Sequence, residues 1–367
     1  MPRNLQYDRQ LFGVTVALCL IGAVMVFSAS AMMSREVYGS AYTFLFRQLA
    51  FLTLGGVGML VLMNVDYRRL RQPKTVFTAL AGTIALLLLV FLCDRSHATH
   101  RWIRYGGIGI QPSEFAKLAT ILYLAWFLES HSSRPDFNIH NIRQTLAPAL
   151  APVLLMMVLI LCEPDMGTAA MLLFVATAIF YVMGFSLRIL FGAALALVPI
   201  VYLLIVRVPY RYARMQAFLF PSTDPQGRGF QLIQSLIAVG SGGLTGVGLM
   251  DSRQKLFYLP EAHTDFIFAV LCEELGFIGA LVLIALFVWY AWRGLRTAWR
   301  APDDFGRLLA LGITALVAGQ AFINLSVVVG LMPTKGIPLP FISYGGSSLM
   351  VMLLATGVLL NISQHAE

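Results

Sequence analysis

The sequence predicts an all-α polytopic membrane protein, and three observations carry that expectation. Of 367 residues, 58% are apolar and only 12% are charged, and mean hydropathy is +0.77, whereas soluble domains carry about 25% charged residues. The apolar residues gather into runs of membrane-spanning length. Lys and Arg are divided unequally among the segments that join those runs.

Taken along the chain, residues 11–31 come first. This run is long enough for a ~30 Å hydrocarbon core and lacks a cleavage context, so it reads as a span and not as a signal peptide. Further windows fall at 46–64, 75–92, 114–128, 148–162, 168–185 and 189–206, and, after a polar stretch over about 207–265, at 266–292, 307–331 and 342–362. The expectation is about ten transmembrane helices in one membrane domain over 1–367, with a large extracytoplasmic loop between helices 7 and 8. The fourth and fifth windows are shorter than the usual ~17–25 residues. A re-entrant pair there would leave the sidedness downstream unchanged.

With the N-terminus inside, thirteen of the 26 cationic residues fall in cytoplasmic segments, seven in short outer connections and six in the long loop. That distribution supports an N-in orientation. It also accounts for much of the net charge of +8 and points to no nucleic-acid partner. The outer-face cations still need a reason, and an anionic ligand supplies one. Cys19, Cys93, Cys162 and Cys272 have neither zinc-site nor disulfide-framework spacing. No P-loop or dinucleotide-binding glycine pattern occurs, which argues against an intrinsic ATPase.

Four polar, Gly- and Pro-rich stretches fall on the outer face: RWIRYGGIGIQPSEFAK from Arg101, EPDMGT from Glu163, the long loop, and MPTKGIPLPFISYGGSS from Met332. In the first, Glu114 and Lys117 stand at i and i+3 in the opening turn of a helix. They read either as an ion pair at the membrane edge or, with Arg101 and Arg104, as a phosphate-binding wall. Near the end of the long loop, Arg253, Lys255, Glu261, His263 and Asp265 crowd into one short segment, either as a solvated loop or as a site. Asp265 immediately precedes the eighth span, where it would cap a helix or, if desolvated, act as a base. His263 reads as its proton partner or as an ordinary loop histidine. Glu273 and Glu274 lie roughly 12–14 Å into the same span at 1.5 Å per residue, so they mark a structural polar network or a conduit, the former favoured. His97 and His100 have an i, i+3 spacing but no third ligand nearby, and read as solvated.

These strings, with MVFSAS at Met25, DYRRLR at Asp66, SRQKLFYLPEAHTDFIFAVLCEELGFIG at Ser252 and PTKGIPLPFISYGGSS at Pro333, resemble the motifs of the SEDS (shape, elongation, division and sporulation) family over nearly the whole chain. They look more like its division and sporulation branches than its elongation branch. The resemblance implies a peptidoglycan glycosyltransferase of the bacterial cytoplasmic membrane, acting at the septum. Such an enzyme would polymerise lipid II into β-1,4 glycan and release undecaprenyl diphosphate, beside a class B penicillin-binding transpeptidase and other division proteins. Asp265 matches the family's essential loop aspartate. Inversion at the anomeric carbon needs one displacement and one base, unlike retaining hydrolysis. The departing diphosphate would meet cations drawn from Arg101, Arg104, Lys117, Arg253, Lys255 and Lys335, with Glu114 orienting Lys117, and Glu261, His263 and Ser343 completing the substrate site. A divalent cation, Mg or Mn, is an optional helper, although the sequence shows no metal cage. Two other readings stay open: a lipid II flippase using Glu273 and Glu274, and a non-catalytic scaffold for the transpeptidase.

Overall fold

The structure, a computed structural model, describes residues 6–93, 101–105, 108–132, 137–256 and 258–366; His97 and His100 lie outside them. Helices α1 (Arg9–Tyr38), α2 (Thr43–Asn64) and α3 (Pro73–Cys93) lead to a hairpin of β1 (Ile103–Tyr105) and β2 (Ile108–Ile110). There follow α4 (Pro112–Ser132), α5 (Ala147–Cys162), α6 (Met166–Val182), α7 (Leu187–Val206), α8 (Pro209–Leu219), α9 (Phe230–Ser241), α10 (Ile267–Arg300), α11 (Asp304–Val328) and α12 (Gly346–His365).

Each of the ten predicted windows falls on a helix. Among the described residues, eight helical stretches are long and apolar enough to cross a membrane, α5 counting with the π-turn that precedes it. The other two windows are α6, which is short, and α4, which carries Glu114, Lys117 and Glu129. The fold is all-α apart from one short antiparallel pair, β1 and β2, with Ile103 opposite Ile110. Two expectations need correction. The stretch read as loop contains α8 and α9. Several helices also overrun their windows, α10 as far as Arg300, since charged residues at the membrane edge continue a helix as readily as apolar ones.

The bundle is ordered from an inner layer outward. α4, α11, α12 and the first part of α10 are the helices richest in buried side chains, among them Ile121, Leu124, Ile267, Leu316 and Leu359. By contrast none of the described side chains of α7 is buried, so its apolar surface is left for lipid. At the end of the bundle away from the long loop, polar clasps hold the helix termini. The Asp8 side chain caps α1 by accepting from Gln10 N and Leu11 N, and also binds Arg293 Nε at 2.7 Å. Tyr67 donates to Asp303, which caps α11.

Helix α10 is broken at Gly276, where φ is 65° and ψ −165°. A break inside a membrane helix orphans backbone groups that lipid cannot satisfy. A glycine-rich segment fills that need. The amides of Val247 and Gly248 donate to the carbonyls of Glu273 and Glu274 (3.0 and 3.1 Å), and those of Phe277 and Ile278 donate to Gly243 and Leu244 (2.9 and 3.1 Å). The approach is so close that a Cβ on Gly246 would stand 2.1 Å from the Glu274 carbonyl oxygen, and one on Gly276 would stand 2.3 Å from Gly246 N.

The same joint anchors the following segment through buried carboxylates. Glu273 accepts from the Ser252 hydroxyl and from the Arg253 amide (3.1 Å). Glu274 accepts from Lys255 Nζ (2.8 Å) and from Ser28 of α1 (2.6 Å). Both carboxylates are therefore parts of a structural network, and no conduit needs to be invoked for them.

Substituting Gly246 or Gly276 with Ala is expected to destabilise the detergent-solubilised protein by roughly 2 kcal/mol or more, through overpacking and a disfavoured dihedral. Gly240→Ala, with nothing within 4 Å of its added Cβ, should stay within about 0.5 kcal/mol. Thermal unfolding of the three variants checks this contrast.

Candidate active site

Asp265 sits one residue before Phe266, the residue that flanks the start of α10, and no side chain caps that helix. Its carboxylate is thus not spent as a helix cap. What fixes it is a clasp on three consecutive carbonyls. His263 O accepts from Tyr344 N at 3.0 Å, Thr264 O from Ser343 Oγ at 2.6 Å, and Asp265 O from Asn324 Nδ2 at 2.8 Å. Asn324 also donates to Ile337 O, and Ser343 Oγ accepts from Leu339 N, each at 2.8 Å. The segment before α10 is thereby tied to α11 and to the connection between α11 and α12.

That connection closes one side of a cavity of about 260 Å³. Its walls come from four separated stretches: Arg101; Pro164 to Gly167; Arg211, Arg214 and Met215 with Val201 and Ile205; and Pro333 to Gly336. Gly336 is the contact between cavity and carboxylate, since a Cβ there would stand 3.2 Å from Asp265 Oδ2. Only a residue without a side chain lets the backbone come this close.

The half-buried Asp265 carboxyl is pushed up from 3.8 to about 7, mainly by loss of hydration and further by Glu261 and Asp165, against the pull of Arg214 and Arg101. Glu163, fully buried and without a hydrogen-bond partner for either carboxyl oxygen, is pushed up to about 8 by burial and then by Asp165, with Arg101 opposing. Burial lowers Lys335, and Asp165 partly offsets it. Asp165 itself caps α6: it accepts from Thr168 N (3.1 Å), Thr168 Oγ1 (2.8 Å) and Gln111 Nε2 (3.3 Å). Arg101 is held by the carbonyls of Glu163 (3.0 Å) and Pro164.

Of the residues singled out from the sequence, Arg101 and Lys335 line this cavity and Asp265 borders it. The others stand elsewhere, for identifiable reasons. Glu114 and Lys117 form a buried ion pair at 2.7 Å, and Lys117 also donates to Gln320 (2.9 Å), which holds Pro338 O (2.8 Å). They support the α11–α12 connection from beneath. Lys255 is spent on Glu274, while Arg253 contributes its amide to Glu273 and exposes its side chain. Arg104 is exposed on β1. Glu261 makes the turn before Asp265 and accepts from Thr264 Oγ1 at 2.8 Å. His263 is buried between Phe44 and Tyr344, at ring separations of 5.0 and 5.7 Å, and burial lowers its basicity. It is an aromatic plug. Ser343 is a backbone staple.

Arg211 and Arg214 were missed, although their i, i+3 spacing beside Pro209 was a readable signal for one face of a short helix. Among the described residues no group of three or more His, Cys, Asp and Glu side chains is placed to hold a metal ion.

The chain matches the family model described as cell cycle protein, which joins FtsW, RodA and SpoVE, over residues 9–367. It is 43% identical over 365 residues to a probable peptidoglycan glycosyltransferase FtsW of Geobacter metallireducens, covering 99% of this chain and 96% of that one. It is 44% identical over 363 residues to stage V sporulation protein E of Bacillus subtilis, covering 98% of each. Among solved structures, a chain from a study of how a peptidoglycan synthase complex coordinates polymerization and crosslinking superposes with a TM-score of 0.78 at 30% identity, over 97% of both chains. The rod shape determining protein RodA of Thermus thermophilus superposes with a TM-score of 0.71 at 28% identity, over 100% of both.

The raised carboxyl at Asp265 has a consequence for stability. Its folded value, about 7, exceeds the ordinary 3.8, so the folded state binds the extra proton, and stability at this position is lost as pH rises from about 4 through 7. Asp265→Asn is expected to raise the thermal midpoint at pH 8 and to leave it unchanged near pH 4. Unfolding scans at the two pH values test this.

Proposed function

The chain belongs to the cell cycle protein family of FtsW, RodA and SpoVE, and on that premise we propose that it is a peptidoglycan glycosyltransferase that polymerises lipid II, with Asp265 as its base. The observation that carries the residue assignment is a carboxylate of raised proton affinity, held rigidly by its backbone, at the rim of a cationic cavity.

The chemistry follows from the stereochemistry. Donor sugar is α-linked to a lipid diphosphate and the glycan is β-1,4-linked, so a single in-line displacement inverts the anomeric carbon. The acceptor 4-oxygen forms the new bond to C1, the C1–oxygen bond to the diphosphate breaks, and the hydroxyl proton passes to Asp265. A base poised near pH 7 balances availability against strength at neutral pH. Undecaprenyl diphosphate leaves with its charge met by Arg101 and Lys335. The Glu114–Lys117–Gln320 chain acts one step back, holding the connection that bears Lys335.

The relatives named FtsW and SpoVE are about equally similar to the chain, which supports a septal role in division or sporulation over elongation. The uneven Lys and Arg distribution supports an extracytoplasmic site, and the solved synthase complex supports a class B penicillin-binding transpeptidase as partner.

The test is glycan synthesis from purified lipid II in detergent, with a partner transpeptidase whose own active site is blocked. Wild-type kcat/KM should fall as pH drops through about 7, because the base becomes protonated. Asp265→Asn should lose at least about 10²-fold, within the usual range for removing a general base. A folded Asp265→Asn protein that polymerises at the wild-type rate would falsify the assignment, and an inactive wild type would leave the scaffold reading.

A further inference from the structure

Beyond its break at Gly276, α10 has two unlike faces. One is packed: Leu283, Phe287, Tyr290, Gly294 and Ala298 are buried, and a Cβ on Gly294 would stand 2.2 Å from Thr314 Oγ1 of α11. The other is bare. Ile278, Leu281, Val288, Trp292, Arg296 and Trp299 are all exposed, and at 3.6 residues per turn they fall on one stripe. From Ile278 to Trp299 that stripe runs about 32 Å at 1.5 Å per residue, close to the thickness of a hydrocarbon core.

Its composition changes with depth. As far as Val288 it is aliphatic. Trp289, Trp292 and Trp299 then stand exposed, with Arg296 and Arg300 among and beyond them. Tryptophan beside arginine at one end of an apolar stripe marks the level where hydrocarbon gives way to headgroups. The other charges at this end are spent. Arg293 is bound to Asp8, and Asp304 pairs with Arg307 at 2.9 Å. Asp303 accepts from Tyr67 Oη, Arg68 Nε and Gly306 N. Arg296 and Arg300 have no hydrogen-bond or ion-pair partner among the described residues.

A guanidinium takes two phosphate oxygens in its planar fork, and an indole N–H adds a donor. An anionic phospholipid presents that phosphate with its charge intact, whereas the choline or ethanolamine of a zwitterionic one cancels it and is repelled by the arginines. A partner helix is the poorer occupant, because close helix packing in lipid draws on small residues and this stripe is mostly Ile, Leu, Val and Trp.

We infer that Trp292, Arg296, Trp299 and Arg300 form a binding site for an anionic phospholipid, in the leaflet at the end of the bundle away from Asp265. The headgroup phosphate meets the two arginines, and the acyl chains lie along Val288 and Leu281. This goes beyond the proposed glycosyl transfer and shares no residue with it. A lipid held there fixes the depth of α10, whose other end begins beside Asp265.

The experiment uses the tryptophans as reporters. Full-length protein is reconstituted in phosphatidylcholine vesicles containing increasing fractions of brominated phosphatidylglycerol or of brominated phosphatidylcholine. Quenching of tryptophan fluorescence then gives the relative affinity for the two lipids. Wild type is expected to favour phosphatidylglycerol about tenfold, roughly threefold from each arginine, as basic residues near anionic headgroups do. Arg296→Gln and Arg300→Gln should each lower the preference to about threefold, and the double variant should abolish it. Quenching by brominated phosphatidylcholine should stay at the wild-type level, which shows that the variants are folded with the stripe still in lipid. Trp292→Phe combined with Trp299→Phe should remove most of the phosphatidylglycerol-specific quenching. A preference absent from wild type, or kept by the double variant, overturns the inference. So does a stripe quenched by neither lipid, because a protein partner or a second copy then covers it. If the double variant does not fold, the single variants decide, and an unchanged preference in both overturns the idea.

Discussion

The fold around the site depends on one arrangement: three successive carbonyls, of His263, Thr264 and Asp265, each held by a different donor from the α11 side. Neutral hydrogen bonds of this kind contribute only about 1 kcal/mol each, so their worth here is positional. They fix the backbone of Asp265 against Asn324 and the α11–α12 connection, and that connection also brings Gly336 to the carboxylate and Lys335 to the cavity. Side-chain position is thereby determined on the scale that acid–base chemistry requires. The buried Glu114–Lys117 pair belongs to the same arrangement, because Gln320 passes its hold on to Pro338 O. Removing either partner would leave an uncompensated buried charge.

A second constraint comes from the bilayer. A polar segment that must reach the start of α10 has to satisfy its backbone where water is scarce. The break at Gly276 solves this by exchange: the helix gives up its own bonds there, and residues 243–248 take their place. Glu273 and Glu274, whose depth left a structural network or a conduit open with the network favoured, are engaged with Ser252, Lys255 and Ser28. Their depth reflects anchoring of the segment that ends in Asp265.

These contacts explain which parts of the molecule could be read in advance. All ten apolar windows fell on helices because spanning length and hydropathy are local properties, and the position of Asp265 was visible as a carboxylate abutting an apolar run. The roles of individual polar residues were not local. Lys117, Lys255 and Ser343 have the composition of a phosphate site, yet each is consumed by a partner far away in sequence: Gln320, Ser28 with Glu274, and Thr264. His263 lies two residues from Asp265 but packs against Phe44, which no spacing rule would bring there. Arg211 and Arg214 were hidden for the converse reason. Within a long polar stretch they looked like solvated charge, and only the packing of α8 beside the α11–α12 connection turns them inward.

Three carboxyl groups meet near the cavity, and their surroundings divide the work among them. Asp165 accepts three hydrogen bonds and caps a helix, which commits it to structure. Glu163, fully buried, holds its proton at neutral pH because burial carries it to about 8. It therefore adds little negative charge to a cavity that must attract an anion. Asp265, near 7, is the one still free to exchange a proton there. On the proposed mechanism its proton affinity does not stay constant during the reaction. Negative charge growing on the departing diphosphate favours protonation of a neighbouring carboxylate, so the base becomes stronger as the sugar–phosphate bond breaks. The cations lining the cavity work against that gain while stabilising the leaving group. A carboxylate reached only past Gly336, with Arg101 and Lys335 on the walls beyond, allows both effects in one transition state.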